Sequence, residues 1–289
     1  MSYGLRVMNI IDGKKLAEKV NDQTVAEVIK LGERPNLAVV LVGDNPDSDL
    51  YVRKKLEAGK KVGVDTHLYK CPANVGQAEL LKTIDFLNKD ETIDAILVQL
   101  PLPKDMGYDT DEVVSRISPE KDVDCFHPKN ILPVTTACDS SHILPPVYGV
   151  IFEMLKSLQY DVRDKNVAVV SKSEIFGGNL VKVFACKGAK AEKVHPDDPE
   201  LAEKTAKADI LIPVIGRPKF IKKNMVKNGA IVIDVGITRD QGSTYGDVDF
   251  SDVKDLDGYI TPVPGGVGPM TVAITLRNTL ELYKKRHIS

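Results

Sequence analysis

The stretch from Asn36 to Cys71, "NLAVVLVGDNPDSDLYVRKKLEAGKKVGVDTHLYKC", reads as strand, helix, strand. "NLAVVLVG" (36–43) is a continuous apolar run rich in β-branched residues, as in a strand covered on both faces. From Ser48 to Val64 the periodicity becomes helical. Ser48 or Asp49 can cap that helix, and Gly63 can end it. "DTHLYKC" (65–71) is the returning strand. Wound at about 100° per residue, Tyr51, Val52, Leu56, Ala58, Gly59 and Val62 share one broad face, and Arg53, Lys54, Glu57, Lys60 and Lys61 the other. Lys55 breaks the pattern: it lies inside the apolar stripe, one turn after Tyr51.

The alternation continues outward. "QAELLKTIDFLNKD" (77–90) is a helix, and "DAILVQLPLP" (94–103) a third strand that ends in prolines, which cannot continue a ladder. Periodicity fades from about 104 to 150, where the chain crosses between domains. It restarts with strands at 166–171, 191–195, 209–216 and 230–236, helices at 179–189 and 198–208, and a further helix over "IKKNMVKNG" (221–229). The pattern predicts two α/β domains, the second a Rossmann-like doubly wound parallel sheet. The boundaries fall at 1–145, joined by a C-terminal helix over 270–289 that packs back on the first domain, and at 146–269.

Composition narrows the function class. The chain has 289 residues, 39 basic against 41 acidic, so no global basic field points to nucleic acid. No apolar run reaches the roughly 18 residues of a membrane helix, and the N-terminal stretch lacks a signal peptide's apolar core. These features predict a cytoplasmic protein. The four cysteines form no CxxC pair and read as free thiols in a reducing compartment. The five histidines lack metal-ligand spacing, so no metal is expected.

Four features suggest chemistry. Desolvation lowers a buried lysine's pKa, so Lys55 can exchange protons near neutral pH; alternatively its head snorkels to water. Gln99 ends a buried strand, where α/β sheets place ligands, and its amide can orient the lysine, a substrate or merely a loop. Asp122 and Asp124, two apart in "KDVD", share a face of extended chain and can grip an N–H edge of a heterocycle, or stand solvated. "TPVPGGVGPMT" (261–271) is rich enough in glycine and proline to press backbone against a ligand, or to form a wide turn.

Together "IDGKKLA", "SDLYVRKKLEAGKKVGV", "VQLPLP", "KDVDCFH", "GRPKFIKKNMVKNGAIVIDVGI", "GDVDF" and "TPVPGGVGPMTVA" resemble, in order and along nearly the whole chain, the methylenetetrahydrofolate dehydrogenase/methenyltetrahydrofolate cyclohydrolase (FolD) family. The resemblance implies hydride transfer from 5,10-methylenetetrahydrofolate to NADP or NAD, then hydrolysis of the methenyl product to 10-formyltetrahydrofolate. It implies a place in one-carbon metabolism and purine biosynthesis, and a homodimer. By the same resemblance Lys55 is the proton-transfer group, Tyr51 stacks on the folate, Gln99 tunes the lysine and Asp124 grips the pterin edge. Val263, Pro264, Gly265 and Gly266 form a loop closing on substrate.

The cofactor segment departs from the family's G-R-S-x-x-V-G-x-P. It reads Ser171, Lys172, Ser173, Glu174, Ile175, Phe176, Gly177, Gly178, Asn179. Ser171 replaces a glycine, and Lys172 keeps an arginine's charge without its fork. Asp197 and Asp198 fall where an adenosine ribose belongs; a carboxylate there favours a free 2′-hydroxyl and repels a 2′-phosphate. Gly177 and Ile237 survive. Three readings follow: a bifunctional enzyme using NADP or shifted toward NAD, a cyclohydrolase with weakened dehydrogenase activity, and a non-catalytic folate-binding protein.

Overall fold

A computed structural model describes residues 7–240 and 242–288. The chain opens with β1 (Asn9–Ile10), α1 (Gly13–Leu31), β2 (Asn36–Val42), α2 (Pro46–Val62), β3 (Asp65–Cys71), α3 (Gln77–Lys89), β4 (Ala95–Val98), α4 (Thr110–Ser115) and α5 (Pro128–Thr136). It continues with α6 (Pro146–Ser157), β5 (Asn166–Ser171), α7 (Asn179–Cys186), β6 (Lys190–Val194), α8 (Leu201–Thr205), β7 (Ile210–Val214) and β8 (Ile231–Val232). It closes with β9 (Thr238–Asp240), β10 (Ser243–Tyr245), α9 (Phe250–Val253), β11 (Tyr259–Ile260) and α10 (Val267–His287). Two compact units result. One comprises Ala17–Leu132, Ser140–Pro146 and the chain from Thr271; the other comprises the segment through Leu16, Pro133–Asp139 and Val147–Met270. No described helix is long and apolar enough to cross a membrane.

The first unit is built on a parallel sheet in the order β3-β2-β4. Strand β2 explains its apolar run. Leu37, Val39 and Leu41 face a cluster with Val52 and Val62 of α2 and Val272, Leu276 and Leu282 of α10. The intervening Ala38, Val40 and Val42 face a cluster with Leu80, Ile84 and Leu87 of α3 and Val113 of α4. The C-terminal helix thus belongs to this core. Because β3 and β4 flank β2 on opposite sides, the chain reverses direction at the C-terminal end of β2, beside the end of β4.

The second unit has a six-stranded sheet in the order β1-β11-β8-β7-β5-β6, every neighbouring pair parallel. Its reversal point lies between β5 and β7. The crossing at 146–147 falls beside the expected boundary, but the N-terminal segment departs from the expected division: Asn9 and Ile10 pair with Tyr259 and Ile260, so β1 joins this sheet. That pairing spans about the whole chain and leaves no local trace. The helix expected over 221–229 shrinks to one 3₁₀ turn, Lys223–Met225, because side chains from 249–252 hold its polar groups. The Asp252 carboxylate accepts from Lys223 N at 2.7 Å, and Lys222 Nζ donates to Asp249 at 2.8 Å.

The four-free-thiol expectation is also corrected. Cys138 and Cys186 form a disulfide across 48 positions, while Cys71 and Cys125 are free and buried. Cysteine spacing could not show this, because the fold brings the crossover segment beside the end of α7. Serine at Cys138 is expected to cost about 2–4 kcal/mol, the usual worth of closing a loop of this size. Denaturant melts check this, and an unchanged midpoint would rule out a stabilising bridge.

Candidate active site

Helix α2 places the lysine. Asn45 caps it, its side chain accepting from Asp47 N at 2.9 Å and Ser48 N at 3.2 Å, with Pro46 at the first helical position. The helix therefore starts earlier than the Ser48 or Asp49 cap expected; the Asn-Pro pair was the available signal. Gly63 ends it at φ 81°. Lys55 is only 6% exposed, which disposes of the snorkelling alternative. Its Nζ donates to Gln99 Oε1 at 2.6 Å.

Gln99 follows β4 at the reversal point of the sheet, its own N–H donating to Val40 O at 2.8 Å. Its Nε2 donates to Leu100 O at 2.7 Å, which fixes the amide with its oxygen toward the lysine. A cis peptide joins Leu100 to Pro101. A neutral amide oxygen satisfies one N–H of Lys55 without supplying the full charge that would hold it as ammonium. Burial accordingly pushes the Lys55 amine below the ordinary lysine range, and the Asp124 carboxylate opposes this.

Tyr51 is half-buried one turn before Lys55, with Lys54 Nζ 5.7 Å from its ring centroid. The two aspartates have different fates. Val123 between them is fully buried in the core. Asp122 Oδ2 accepts from His127 N at 2.8 Å and Asn130 Nδ2 at 3.1 Å, so it ties its own loop together. Half-buried Asp124 interacts electrostatically with Lys55, and desolvation pushes it up to about 7. Lys121, which sequence reasoning missed, is 3% exposed and donates to Leu87 O, Asn88 O and Asp90 O at 2.7–3.0 Å. It caps the end of α3 and straps the Asp124 loop to that helix. No local pattern marks it, because its partners lie some thirty residues back.

Tyr51, Lys55, Gln99 and Asp124 thus lie in one unit. The remaining sequence-derived residues lie in the other. Val263, Pro264, Gly265 and Gly266 connect β11 to α10, with a cis bond before Pro264 and Gly265 at φ 112°. A side chain at Gly13 would meet the carbonyl oxygen of Gly266 at 1.9 Å, so the loop and the start of α1 need that glycine to pack.

The cofactor segment follows β5 as a single π-turn, Glu174–Gly178, leading into α7. Ser171 is 1% exposed; its Oγ accepts from Ser173 N at 3.1 Å, and Ser173 Oγ accepts from Phe176 N at 3.0 Å. The hydroxyl that replaces a glycine hydrogen turns inward, so it leaves the outer side of the loop clear. Gly177 remains necessary, since a Cβ there would lie 2.8 Å from that of Ser171. Lys172 and Ile175 are exposed at the loop, and Ile237 is exposed after β8. Asp198 is tied to Lys204 at 2.8 Å, and Asp197 to Arg217 Nη1 at 2.7 Å. The ribose region expected to be acidic therefore has both carboxylates matched by cations. Ordered loop hydroxyls and cationic Lys172 and Arg217 suit an anionic dinucleotide.

Comparison with known proteins supports this division. Residues 11–124 match the catalytic-domain model of tetrahydrofolate dehydrogenase/cyclohydrolase, and 145–287 its NAD(P)-binding-domain model. The bifunctional protein FolD of Sulfurihydrogenibium sp. is 44% identical, covering 97% of this chain and 99% of that protein. The crystal structure of bifunctional FolD from Campylobacter jejuni superposes with a TM-score of 0.90 at 37% identity, over 96% of this chain and 99% of the other. The Trypanosoma brucei enzyme, solved with NADP cofactor and inhibitor, gives 0.92 at 32% identity over 98% and 99%.

Proposed function

This chain belongs to the tetrahydrofolate dehydrogenase/cyclohydrolase family, and we propose that it oxidises 5,10-methylenetetrahydrofolate with NAD(P) and hydrolyses the methenyl product to 10-formyltetrahydrofolate. The observation that supports this most is the buried Lys55 amine on the Gln99 amide at 2.6 Å. Folate binding alone has no need of a desolvated lysine.

In the hydrolytic half, Lys55 as free amine takes a proton from water while the water oxygen bonds to the electron-poor methenyl carbon. The lysine returns that proton to the ring nitrogen as the carbon–nitrogen bond breaks and its electron pair stays on nitrogen. The hydroxyl proton leaves to solvent, so methenyl cation plus water gives the formyl product and one proton. Gln99 keeps the amine aimed through the cycle. Tyr51 offers an aromatic face to the pterin, and ionised Asp124 accepts from its N–H edge. Val263, Pro264, Gly265 and Gly266, in the loop between β11 and α10, are the further residues of this chain assigned to substrate.

The dehydrogenase half uses a nicotinamide, which when bound accepts the hydride. Ser171, Lys172, Ser173, Ile175, Gly177, Asp197 and Ile237 are the residues of this chain assigned to hold the dinucleotide. The same family membership supports a cytoplasmic homodimer, a state that light scattering reads. The paired test follows methenyl formation with NADP and with NAD, and hydrolysis separately. Hydride transfer with at least one dinucleotide is expected beside hydrolysis. Hydrolysis with no hydride transfer to either would leave a cyclohydrolase alone.

A further inference from the structure

The ribose end of the dinucleotide region has a feature that the sequence pattern does not show. Lys172, Asp197 and Arg217 follow β5, β6 and β7, three adjacent parallel strands, at their C-terminal ends. Arg217 is held from below. Asp247, fully buried, accepts from Ile215 N at 2.6 Å, Gly216 N at 3.2 Å and Arg217 N at 2.8 Å, so one carboxylate fixes the whole turn after β7. The guanidinium then lies 5.2 Å from the Phe220 ring centroid and donates through Nη1 to Asp197 at 2.7 Å. Its backbone is fixed by Asp247, and its side chain is aimed by two contacts, Phe220 and Asp197.

Charge decides what this arrangement accepts. Asp197 alone would repel a phosphate on the adenosine ribose. Here Arg217 holds the Asp197 carboxyl below the usual carboxylate range, and Lys172 acts in the same sense. Asp198 is matched by Lys204. Arg217 and Lys172 face Asp197 as two cations against one carboxylate, while Lys204 is shared by Asp198 and by Glu200 at 3.2 Å. The guanidinium spends one nitrogen on Asp197 and keeps further N–H donors in its planar fork, the geometry that binds phosphate bidentately. Lys172, lacking that fork, cannot supply it.

We propose that Arg217 is the residue that sets coenzyme choice in this chain, cancelling the Asp197 charge and offering its remaining donors to a 2′-phosphate. NADP is then accepted despite an aspartate where a free ribose hydroxyl would be expected to be read. The inference rests on the dehydrogenase reading above.

The experiment measures binding of 2′,5′-ADP and 5′-AMP to the full chain by calorimetry, for wild type, R217A, R217K and D197A. KM for NADP and NAD is measured in parallel. Wild type is expected to prefer 2′,5′-ADP. R217A should weaken 2′,5′-ADP by about 10- to 100-fold, the worth of a charged hydrogen-bonded contact, and change 5′-AMP by less than about twofold. R217K, with charge but no fork, should fall between, which guards against a variant that fails to fold. D197A should tighten 2′,5′-ADP. Equal losses for both fragments in R217A, or a wild type that binds 5′-AMP as tightly as 2′,5′-ADP, would overturn the proposal alone. A wild type that binds neither fragment and transfers no hydride would remove the dehydrogenase reading as well.

Discussion

Methionine at Lys55 is expected to cut cyclohydrolase turnover by about 10²- to 10⁴-fold, the range that positioned proton transfer supplies. The substitution nearly conserves volume in an apolar stripe, so folate binding and the fold should survive. Stability should rise at neutral pH. The native state holds the Lys55 amine below its ordinary value of 10.5. Across that window the unfolded chain binds more protons, so wild-type stability increases with pH through it. Below the window the native state carries a desolvated charge, and methionine removes that cost. Thermal melts from pH 6 to 10 read the effect, and stopped assays of methenyl loss read the rate. A variant that keeps wild-type turnover would leave the assigned reaction without its proton carrier.

Alanine at Asp124 is expected to raise the KM for folate substrate by about 10- to 100-fold, as a charge-assisted hydrogen bond to the pterin edge is lost. Only the ionised carboxylate is a pure acceptor. In the unliganded protein this group titrates at about 7, against an ordinary 3.8, because burial disfavours its charge more than Lys55 favours it. Wild-type substrate affinity should therefore improve as pH rises through about 7, and the alanine variant should lose that dependence. The stability sign is opposite to that of Lys55. Between 3.8 and about 7 the native state binds the additional proton, so its stability falls as pH rises through the window. Alanine should flatten that slope. A pH-independent wild-type KM across pH 6 to 8 would count against ionised Asp124 as the pterin acceptor.

Much of the architecture was legible because its causes are local. The run at 36–43 needs cover on both faces, and α2 and α3 provide it from opposite sides of β2. Lys55 announced itself as a charge in a helix's apolar stripe, and Gln99 as a polar group at a strand end. Both inferences use spacings of four residues or fewer. Asp122 and Asp124 show the limit. Alternation placed them on one face, yet only folding ties Asp122 to His127 and Asn130 and leaves Asp124 to interact with Lys55.

The residues missed share a different property. Arg217 reaches Asp197 across 20 positions, Lys121 reaches α3 across about thirty, Cys138 reaches Cys186 across 48, and β1 joins β11 across some 250. By itself the amino-acid order determined the α/β alternation, the desolvated lysine and its amide partner. Only the tertiary structure decided which aspartate ties its own loop and which faces Lys55, which cysteines pair and which cation offsets Asp197. Periodicity records burial along one element, whereas ion pairs, bridges and sheet edges depend on which distant strands the closed core brings side by side.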